Sequence, residues 1–379
     1  MKNIYTTIMT GTLLIAFFAW FVSCKKESNE LPVVSYVRVT NPAASDSLLV
    51  AAGQGQLVAI MGSNLQDARE IWFNDRQSRL TPTYVTATSI LVSVPSLVPL
   101  DITNKLKIVF KNGYELFHDF KVQISKPELN GMFCEFVNEG DVAILNGDYF
   151  YAPISVTFTG GATGEIVVVE DNRLQFRVPA GAQPGPITVK TNFGETKSEF
   201  WFRDNRNIFI SSDPYEGWWN SSFVVTTPAT GQPPRINGNY IYFKKDVASW
   251  SWTELAGGPA SSMPNHSKRI PDEAVLKPQD YDLKFEVNCL KPYNGNAIKL
   301  NVALTAEQNN GYIWPPPFDT KKQWQTVVIP LTEVFNAYSP KPVVSPSGYW
   351  TRVIVGNAAG SWDAEICFDN FRVVPKISK

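Results

Sequence analysis

The chain has 379 residues, which is long enough for two or three domains that each have their own hydrophobic core. Its formal net charge is −1 and no basic stripe is visible, so we expect no nucleic-acid partner. Short runs of Val, Ile, Phe and Tyr, interrupted by 27 prolines and 24 glycines, favour an all-β fold over a helical one.

The first 23 residues have the pattern of a secretory signal. Lys2 supplies a positive charge, and the stretch from Leu13 to Trp20 is apolar throughout. That stretch is short for a membrane span. We therefore expect residues 1–23 to direct the rest of the chain out of the cytoplasm.

A possible lipid attachment site follows directly. The small residue Ser23 precedes Cys24, and this segment resembles the cleavage box of bacterial lipoproteins, although Phe21 stands where leucine is usual. The resemblance implies that residues 1–23 are a lipoprotein signal peptide, that Cys24 is lipidated, and that the charged residues 24–31 form a flexible tether. The alternative is an uncleaved helical anchor in which the cysteine occurs by chance.

Residues 32–125 and 126–203 repeat one order of short strands. In each repeat an early strand runs into a glycine, Gly62 or Gly147, and a later strand ends in Val-Pro. Turn signals at this spacing are typical of β-sandwich modules. The two segments resemble IPT/TIG immunoglobulin-like modules, and that resemblance implies that they are spacers. The short junctions between them contain no Gly/Ser run, which favours stiff connections.

Residues 204–379 contain six longer strand-like runs with clear alternation of apolar and polar residues. The run that begins at Trp324 and the run around Asp369 resemble the last strands of jelly-roll carbohydrate-binding modules. We therefore expect a larger, jelly-roll-like β-sandwich that binds its ligand on a concave sheet face or across loop tips. Trp324 opens an apolar strand and is predicted to be a core residue.

Eight of the eleven tryptophans fall in this last segment, several in loops or in alternating strands. Soluble domains rarely expose so much flat apolar surface without a partner, and sugar rings stack well on indoles. The alternative is that these rings are ordinary core residues. The candidate glycan-stacking residues are Trp218, Trp219, Trp250, Trp252, Tyr312, Trp314, Tyr349, Trp350 and Trp362.

Polar side chains near these aromatic residues are candidates for hydrogen bonds to sugar hydroxyls. They are Asn220, Glu254, Gln308, Asn309, Asn310 and Asp363.

Taken together, the lipoprotein-like start, the two repeats and the aromatic-rich last segment resemble the surface glycan-binding lipoproteins of Bacteroidetes polysaccharide utilisation loci. This resemblance implies a lipid-anchored protein on the outer face of the outer membrane whose ligand is a polysaccharide. A β-glucan or xyloglucan-type chain is the ligand class expected, and a TonB-dependent glycan transporter is a candidate partner.

No enzymatic motif stands out. Acidic residues are available, but none lies in a recognisable glycosidase motif, and no nucleophile elbow, phosphate loop or dinucleotide fingerprint is present. We therefore expect a non-catalytic binding protein. The alternatives are a glycoside hydrolase and an adhesin-like lipoprotein whose aromatic patch binds another protein.

No cofactor is expected, because no Cys/His metal spacing occurs. Related modules place a calcium ligand where Asp369 stands, but one carboxylate is weak support for calcium. Apart from Cys24 the chain has Cys134, Cys289 and Cys367. The last two could form a disulfide bond, or all three could be buried free thiols.

Overall fold

The computed structural model describes residues 30–217, 221–294, 297–303, 311–356 and 360–376. The chain divides into two compact units, Met1–Ile124 and Ser125–Lys379. Regular structure in the described ranges is almost entirely β, which confirms the predicted fold class. None of the helices in these ranges is long and apolar enough to cross a membrane. The expected signal peptide and Cys24 lie outside the described residues.

The first unit is a sandwich of two antiparallel sheets, ordered β1-β3-β6 and β5-β4-β7-β8, with β2 and β9 paired in parallel. Alternate residues of each strand, such as Val58, Ile60 and Ile108, meet in one core between the sheets. Its strands are β1 (Val33–Val39), β2 (Ala51–Gly53), β3 (Leu57–Ser63), β4 (Ala68–Phe73), β5 (Arg76–Ser78), β6 (Ser89–Ser93), β7 (Lys105–Phe110), β8 (Glu115–Asp119) and β9 (Lys121–Gln123), with 3-10 turns at Pro42–Ala44 and Pro82–Tyr84.

The second unit begins with a smaller sandwich, called here the second sandwich (residues 126–203). Its strands follow the order β10-β11-β14-β13-β12-β15-β16. Strand β13 pairs with β12 at Gly164 and then with β14 from Glu165 onward, so the sheet folds over the core around Leu145 and Phe176. The strands are β10 (Glu128–Met132), β11 (Val142–Asp148), β12 (Ile154–Thr159), β13 (Thr163–Glu170), β14 (Arg173–Arg177), β15 (Gln183–Thr191) and β16 (Gly194–Lys197).

The remainder of the second unit is the larger C-terminal sandwich (residues 204–376). Its elements are β17 (Ile208–Ile210), β18 (Val224–Val225), β19 (Tyr240–Val247), β20 (Trp252–Gly258), α1 (Asp272–Leu276), β21 (Tyr281–Cys289), β22 (Ala297–Ala303), β23 (Tyr312–Trp314), β24 (Gln325–Pro330), α2 (Leu331–Asn336), β25 (Trp350–Gly356) and β26 (Trp362–Pro375), with 3-10 turns at Ser221–Phe223, Ala260–Ser262 and Pro278–Asp280.

Two sheets of the C-terminal sandwich enclose its core. One has the order β18-β19-β26-β21-β24, with β17 also paired to β26, and the other is a four-stranded sheet with the order β20-β25-β22-β23. Strand β26 is buried on both faces. Phe371 and Val373 point into the core, whereas Cys367 packs on the other side with Phe136 of the second sandwich. The second sandwich and the C-terminal sandwich therefore share a packed junction.

Buried charges hold this junction together. The Glu135 carboxylate lies 2.6 Å from the Lys284 ammonium and 2.7 Å from the Arg372 guanidinium, and Arg372 also bonds Glu286 at 2.8 Å. The Thr326 amide donates to the Phe133 carbonyl at 2.9 Å. Buried charges are tolerated when each has a partner. Glu135 belongs to the second sandwich, whereas Lys284 and Arg372 belong to the C-terminal sandwich. The second sandwich therefore supplies part of the negative charge that neutralises these two buried cations.

The cysteine question is resolved in favour of free thiols, since Cys134, Cys289 and Cys367 are all buried and unbonded to one another. Burial raises the pKa of the Cys289 thiol to about 11, which keeps it protonated and unreactive at neutral pH. Trp324 is a buried residue, as predicted. It packs edge-on against Tyr240 and donates its indole N–H to the Pro234 carbonyl at 2.8 Å.

Candidate functional site

The side of the four-stranded sheet that points away from the core is called here the outer face. Alternation along β22 sends Ile298 and Leu300 into the core and Ala297 and Lys299 to the outer face. The cross-strand partners of Ala297 and Lys299 on β25 are Gly356 and Ile354, which therefore lie on the same side. At the edge of the sheet, Trp252 of β20 pairs with Gly356.

Trp252 is the exposed aromatic residue of this face, with 63% of its side chain open to solvent. Beside it the sheet carries only Gly356 and then Ala297. A Cβ placed on Gly356 would meet nothing closer than the Ala297 carbonyl oxygen at 3.9 Å. Among the described residues, which do not include 295–296 and 357–359, the two small residues therefore leave a shallow open area next to the indole, where a flat ring could stack.

Trp250 is also exposed, at 77%, but it does not belong to the strand. Residues 249–253 alternate aromatic and small polar side chains, and this pattern predicts one strand with both indoles on one side; that prediction is wrong for Trp250, because β20 begins at Trp252. Trp250 lies in a tight turn with φ = 61°, closed by a hydrogen bond from the Ser251 amide to the Ala248 carbonyl at 3.2 Å. The Ser249 hydroxyl donates to the Gly360 carbonyl at 2.7 Å and anchors this turn. Two exposed indoles thus occur at the same end of the sheet.

The centre of the outer face is polar but nearly closed. Arg352, only 3% exposed, donates through Nε to Glu254 at 3.2 Å, and its Nη2 bonds the other oxygen of that carboxylate. Asn301 and Ile354 beside this pair are buried as well. A bidentate Arg–carboxylate pair is a rigid group with fixed hydrogen-bonding geometry. Ligand access to the described part of this face is therefore greatest at the Trp252 end.

Trp350 is half-buried and marks the opposite end of the outer face. It shares the orientation of Arg352 and Gly356 on β25 and pairs with Ala303. Six residues separate it from Gly356, which corresponds to about 20 Å along an extended strand. The outer face is thus long enough for an extended ligand rather than a single ring.

Three candidate residues are corrected to core positions. Trp314 and Trp362 pack around Tyr293, with ring centroids 5.1 and 5.5 Å from it, and Tyr349 is 1% exposed. Each ring is surrounded by protein atoms and has no face open for a ligand. Tyr312 and Trp314 alternate with Ile313 on β23, so they share one face, and that face is turned toward the core. Tyr312 is partly buried there and donates its hydroxyl to Glu333 at 3.3 Å.

The remaining candidate residues are either exposed on the surface or lie outside the described residues. Asp363 is exposed and ion-paired with Lys291. Trp218, Trp219, Asn220, Gln308, Asn309 and Asn310 lie outside the described residues.

The sequence analysis did not single out Gly356, Ala297 or the half-exposed Ile313 on β23. Small or aliphatic residues carry no chemical signal, and their proximity to Trp252 follows from strand pairing across the sheet. Only the register of β20, β25 and β22 brings them together.

The described residues contain no group of three His, Cys, Asp or Glu side chains that could hold a metal ion. Asp369 is buried beside Glu286, its cross-strand partner. Burial, together with repulsion from Glu286, raises the pKa of Asp369 well above its usual value.

Comparisons with known proteins bear on both the C-terminal sandwich and the whole fold. Residues 202–375 match the family model described as the surface glycan-binding protein B xyloglucan binding domain. An IPT/TIG domain-containing protein of Bacteroides ovatus is 28% identical over 163 residues, which cover 40% of this chain and 33% of the relative. The chain therefore spans about a third of the length of this curated relative.

One solved structure resembles the chain over most of its length. The surface glycan-binding protein PbSGBP-B from Prevotella bryantii is 21% identical, with a TM-score of 0.69 over 91% of this chain and 99% of that one. At that identity the likeness establishes a shared fold. The C-terminal sandwich belongs to the surface glycan-binding protein B xyloglucan-binding domain family. The chain as a whole has the layout of a Bacteroidetes surface glycan-binding protein, as the sequence resemblance predicted.

Proposed function

We propose that this protein captures a polysaccharide through the outer face of its C-terminal sandwich and does not cleave it. The observation that carries the proposal is the exposed Trp252 indole beside the open area over Gly356 and Ala297. An indole offers apolar area to the C–H face of a sugar ring. The Glu254–Arg352 pair supplies fixed polar groups near the same face.

The ligand that we propose is a β-glucan or xyloglucan-type chain. Support comes from the family of residues 202–375, which is described by xyloglucan binding. The outer face also extends about 20 Å between Gly356 and Trp350, which suits an extended chain.

A binding role also agrees with the state of Glu254 and Asp363, the two acidic residues among the candidates for glycan contacts. Glu254 is held by Arg352, and Asp363 is held by Lys291. A glycosidase needs two carboxyl groups that flank the scissile bond, one of which is free to donate a proton. Ion pairing of these carboxylates supports binding over hydrolysis.

Affinity electrophoresis of the full chain in gels that contain xyloglucan, mixed-linkage β-glucan or laminarin tests the proposal. We expect retardation in at least one gel and no release of reducing sugar during prolonged incubation. Released sugar would identify a glycoside hydrolase. A chain that is neither retarded nor hydrolytic would favour the adhesin alternative.

We further propose that the protein is attached by lipid at Cys24 to the outer membrane and faces the cell exterior. The support is the apolar leader and the Ser23-Cys24 sequence that follows it. In that position the captured polysaccharide would be held next to the cell, where a TonB-dependent glycan transporter is the partner that we propose for uptake.

A further inference from the structure

The turn at residues 263–267, called here the 263–267 turn, contacts two chain segments near the Trp350 end of the four-stranded sheet: the segment around Glu216, which borders β20 at Gly257, and the segment that leads into β25. Through Asn265 and His266 it binds Glu216. Through the Ser267 carbonyl it accepts a hydrogen bond from the Tyr349 amide at 3.0 Å. One short turn therefore fixes two chain segments that are more than a hundred residues apart in sequence.

The Glu216 carboxylate is the centre of the first contact. One oxygen lies 2.8 Å from His266 Nδ1 and accepts from the Asn265 amide at 3.2 Å, and the other accepts from the Asn265 side-chain amide. Burial alone would raise the pKa of Glu216, but the hydrogen bonds from His266 and Asn265 outweigh it and hold the pKa below its usual value. The carboxylate is therefore ionised at neutral pH, and His266 Nδ1 carries the proton that it donates.

The residue after Glu216 joins the edge of the sheet. Gly217 forms a parallel bridge with Gly257 of β20, and a Cβ on Gly217 would collide with the Gly257 backbone. Gly257 is itself pressed against the Thr351 backbone of β25 in the same way. Both glycines have positive φ, 139° and 103°. The backbones of Gly217, Gly257 and Thr351 are therefore in close contact. A small displacement at Glu216 would consequently shift β20 and β25 as well.

The second contact acts on β25 from its start. Tyr349 is bonded to Ser267 and immediately precedes Trp350. The Thr351 hydroxyl contacts the Met263 sulfur at 3.4 Å. The 263–267 turn therefore contacts β25 on both sides of Trp350, at the end of the outer face.

We propose that His266 is a positioning residue for glycan binding. By donating to Glu216 from the 263–267 turn, it fixes the edge of the four-stranded sheet relative to the start of β25. The inference rests on the proposed function, since it concerns the Trp350 end of the outer face, which an extended chain bound at Trp252 would reach. His266 is 2% exposed, so a glycan on the outer face would not touch it.

The alternative is that His266 is an ordinary buried residue whose loss lowers stability alone. Three substitutions separate the two roles because they differ in where they place a donor. His266→Asn keeps an N–H group close to the position of Nδ1, His266→Gln moves it toward the position of Nε2, and His266→Leu removes it. A matched control is Tyr240→Phe, which deletes a buried hydrogen bond of 2.9 Å to the Pro233 carbonyl on the opposite sheet.

The experiment measures the dissociation constant for xyloglucan by calorimetry, using the full chain at a temperature at which every variant is folded. We expect His266→Leu and His266→Gln to weaken binding by about tenfold and His266→Asn by no more than about threefold. Tyr240→Phe should lower the melting temperature without changing the dissociation constant. In the double variant with Glu216→Ala, His266→Leu should add nothing further, since the two residues act as a unit.

Two results would overturn the inference. One is a dissociation constant of His266→Leu equal to that of the parent, and the other is equal weakening by the Asn and Leu variants. Failure of the parent protein to bind any of the glycans would instead refute the proposed function, and the inference would fall with it. Circular dichroism identifies any variant that fails to fold, and the Asn and Gln comparison then decides the question.

Discussion

Trp252 stands directly opposite Gly356 across the β20–β25 pair, on the side of the sheet that faces away from the core. The next residue in the same row is Ala297 of β22. Because Gly356 and Ala297 are small, the described part of the sheet next to the exposed Trp252 indole is flat. This relationship connects the order of strands in the sheet to the capacity to stack a sugar ring.

Filling the open area should block the site without harming the fold. Gly356 does not have a positive φ, and its Cβ position is open, so Gly356→Leu introduces bulk without backbone strain. We expect glycan affinity to fall by at least about tenfold while the melting temperature stays near that of the parent. The matched control is Gly53→Leu, at another strand glycine with open space around it, which should bind normally. Normal binding by Gly356→Leu would place the ligand elsewhere.

Much of this architecture follows from the sequence. Alternating strands and Val-Pro endings predicted sandwiches, and the aromatic-rich last segment predicted where a ligand would bind. Tyr312 and Trp314 alternate with Ile313 in the sequence, and a strand with this alternation carries both rings on one face. Alternation cannot say which face is the core, because that depends on which sheet covers the strand. In this chain the face that carries Trp314 is the buried one.

The junction charges could not have been predicted. Glu135 and Arg372 are separated by 237 positions in sequence, and each alone would be read as a solvated surface residue. Their burial results from packing of the second sandwich on β26. For the same reason, the prediction that residues 126–203 are a spacer does not include the ion pairs that Glu135 forms with Lys284 and Arg372 of the C-terminal sandwich.

Removal of this carboxylate should be costly. Glu135→Gln leaves Lys284 and Arg372 buried with less compensating charge, and breaking a buried pair costs about 3–5 kcal/mol. Urea unfolding of the Ser125–Lys379 fragment measures the loss. Glu273→Gln, which breaks the exposed pair with Lys277, is the control and should leave the midpoint unchanged.

The same reasoning applies to a fragment that begins at Asp204. It lacks Glu135 altogether and should unfold at lower urea concentration than the Ser125–Lys379 fragment. Equal midpoints for the two fragments would show that the second sandwich contributes little to the stability of its neighbour.

The raised pKa of Asp369 predicts an unusual pH dependence of the protein's stability. Its pKa in the folded protein is raised, so the folded state holds the proton more tightly than the unfolded chain, and stability declines as pH rises above about 4. Asp369→Asn removes this titration. The melting temperature of the variant relative to the parent should therefore increase as the pH rises above about 4. If Asp369 held calcium instead, Asp369→Asn would be destabilising and added calcium would raise the melting temperature of the parent.

Lipid attachment can be tested independently of binding. We expect Cys24→Ala to release the protein from the membrane fraction or to accumulate as an unprocessed precursor, because no thioether can form at alanine. Fractionation and metabolic labelling with a palmitate analogue provide the measurement. Correctly processed Cys24→Ala protein that stays in the membrane fraction would refute the proposal of a lipid anchor.

The central claim is that the Trp252 end of the outer face binds glycan, and paired measurements on two tryptophan variants test it most directly. Trp252→Ala should lose about 1–3 kcal/mol of xyloglucan binding, by analogy with ring stacking on other aromatic residues, while its melting temperature stays close to that of the parent. Trp314→Ala removes a buried ring and should instead cost about 3–5 kcal/mol of stability. The account predicts this opposite pattern in the two variants. Unchanged glycan affinity in a well-folded Trp252→Ala protein would contradict it.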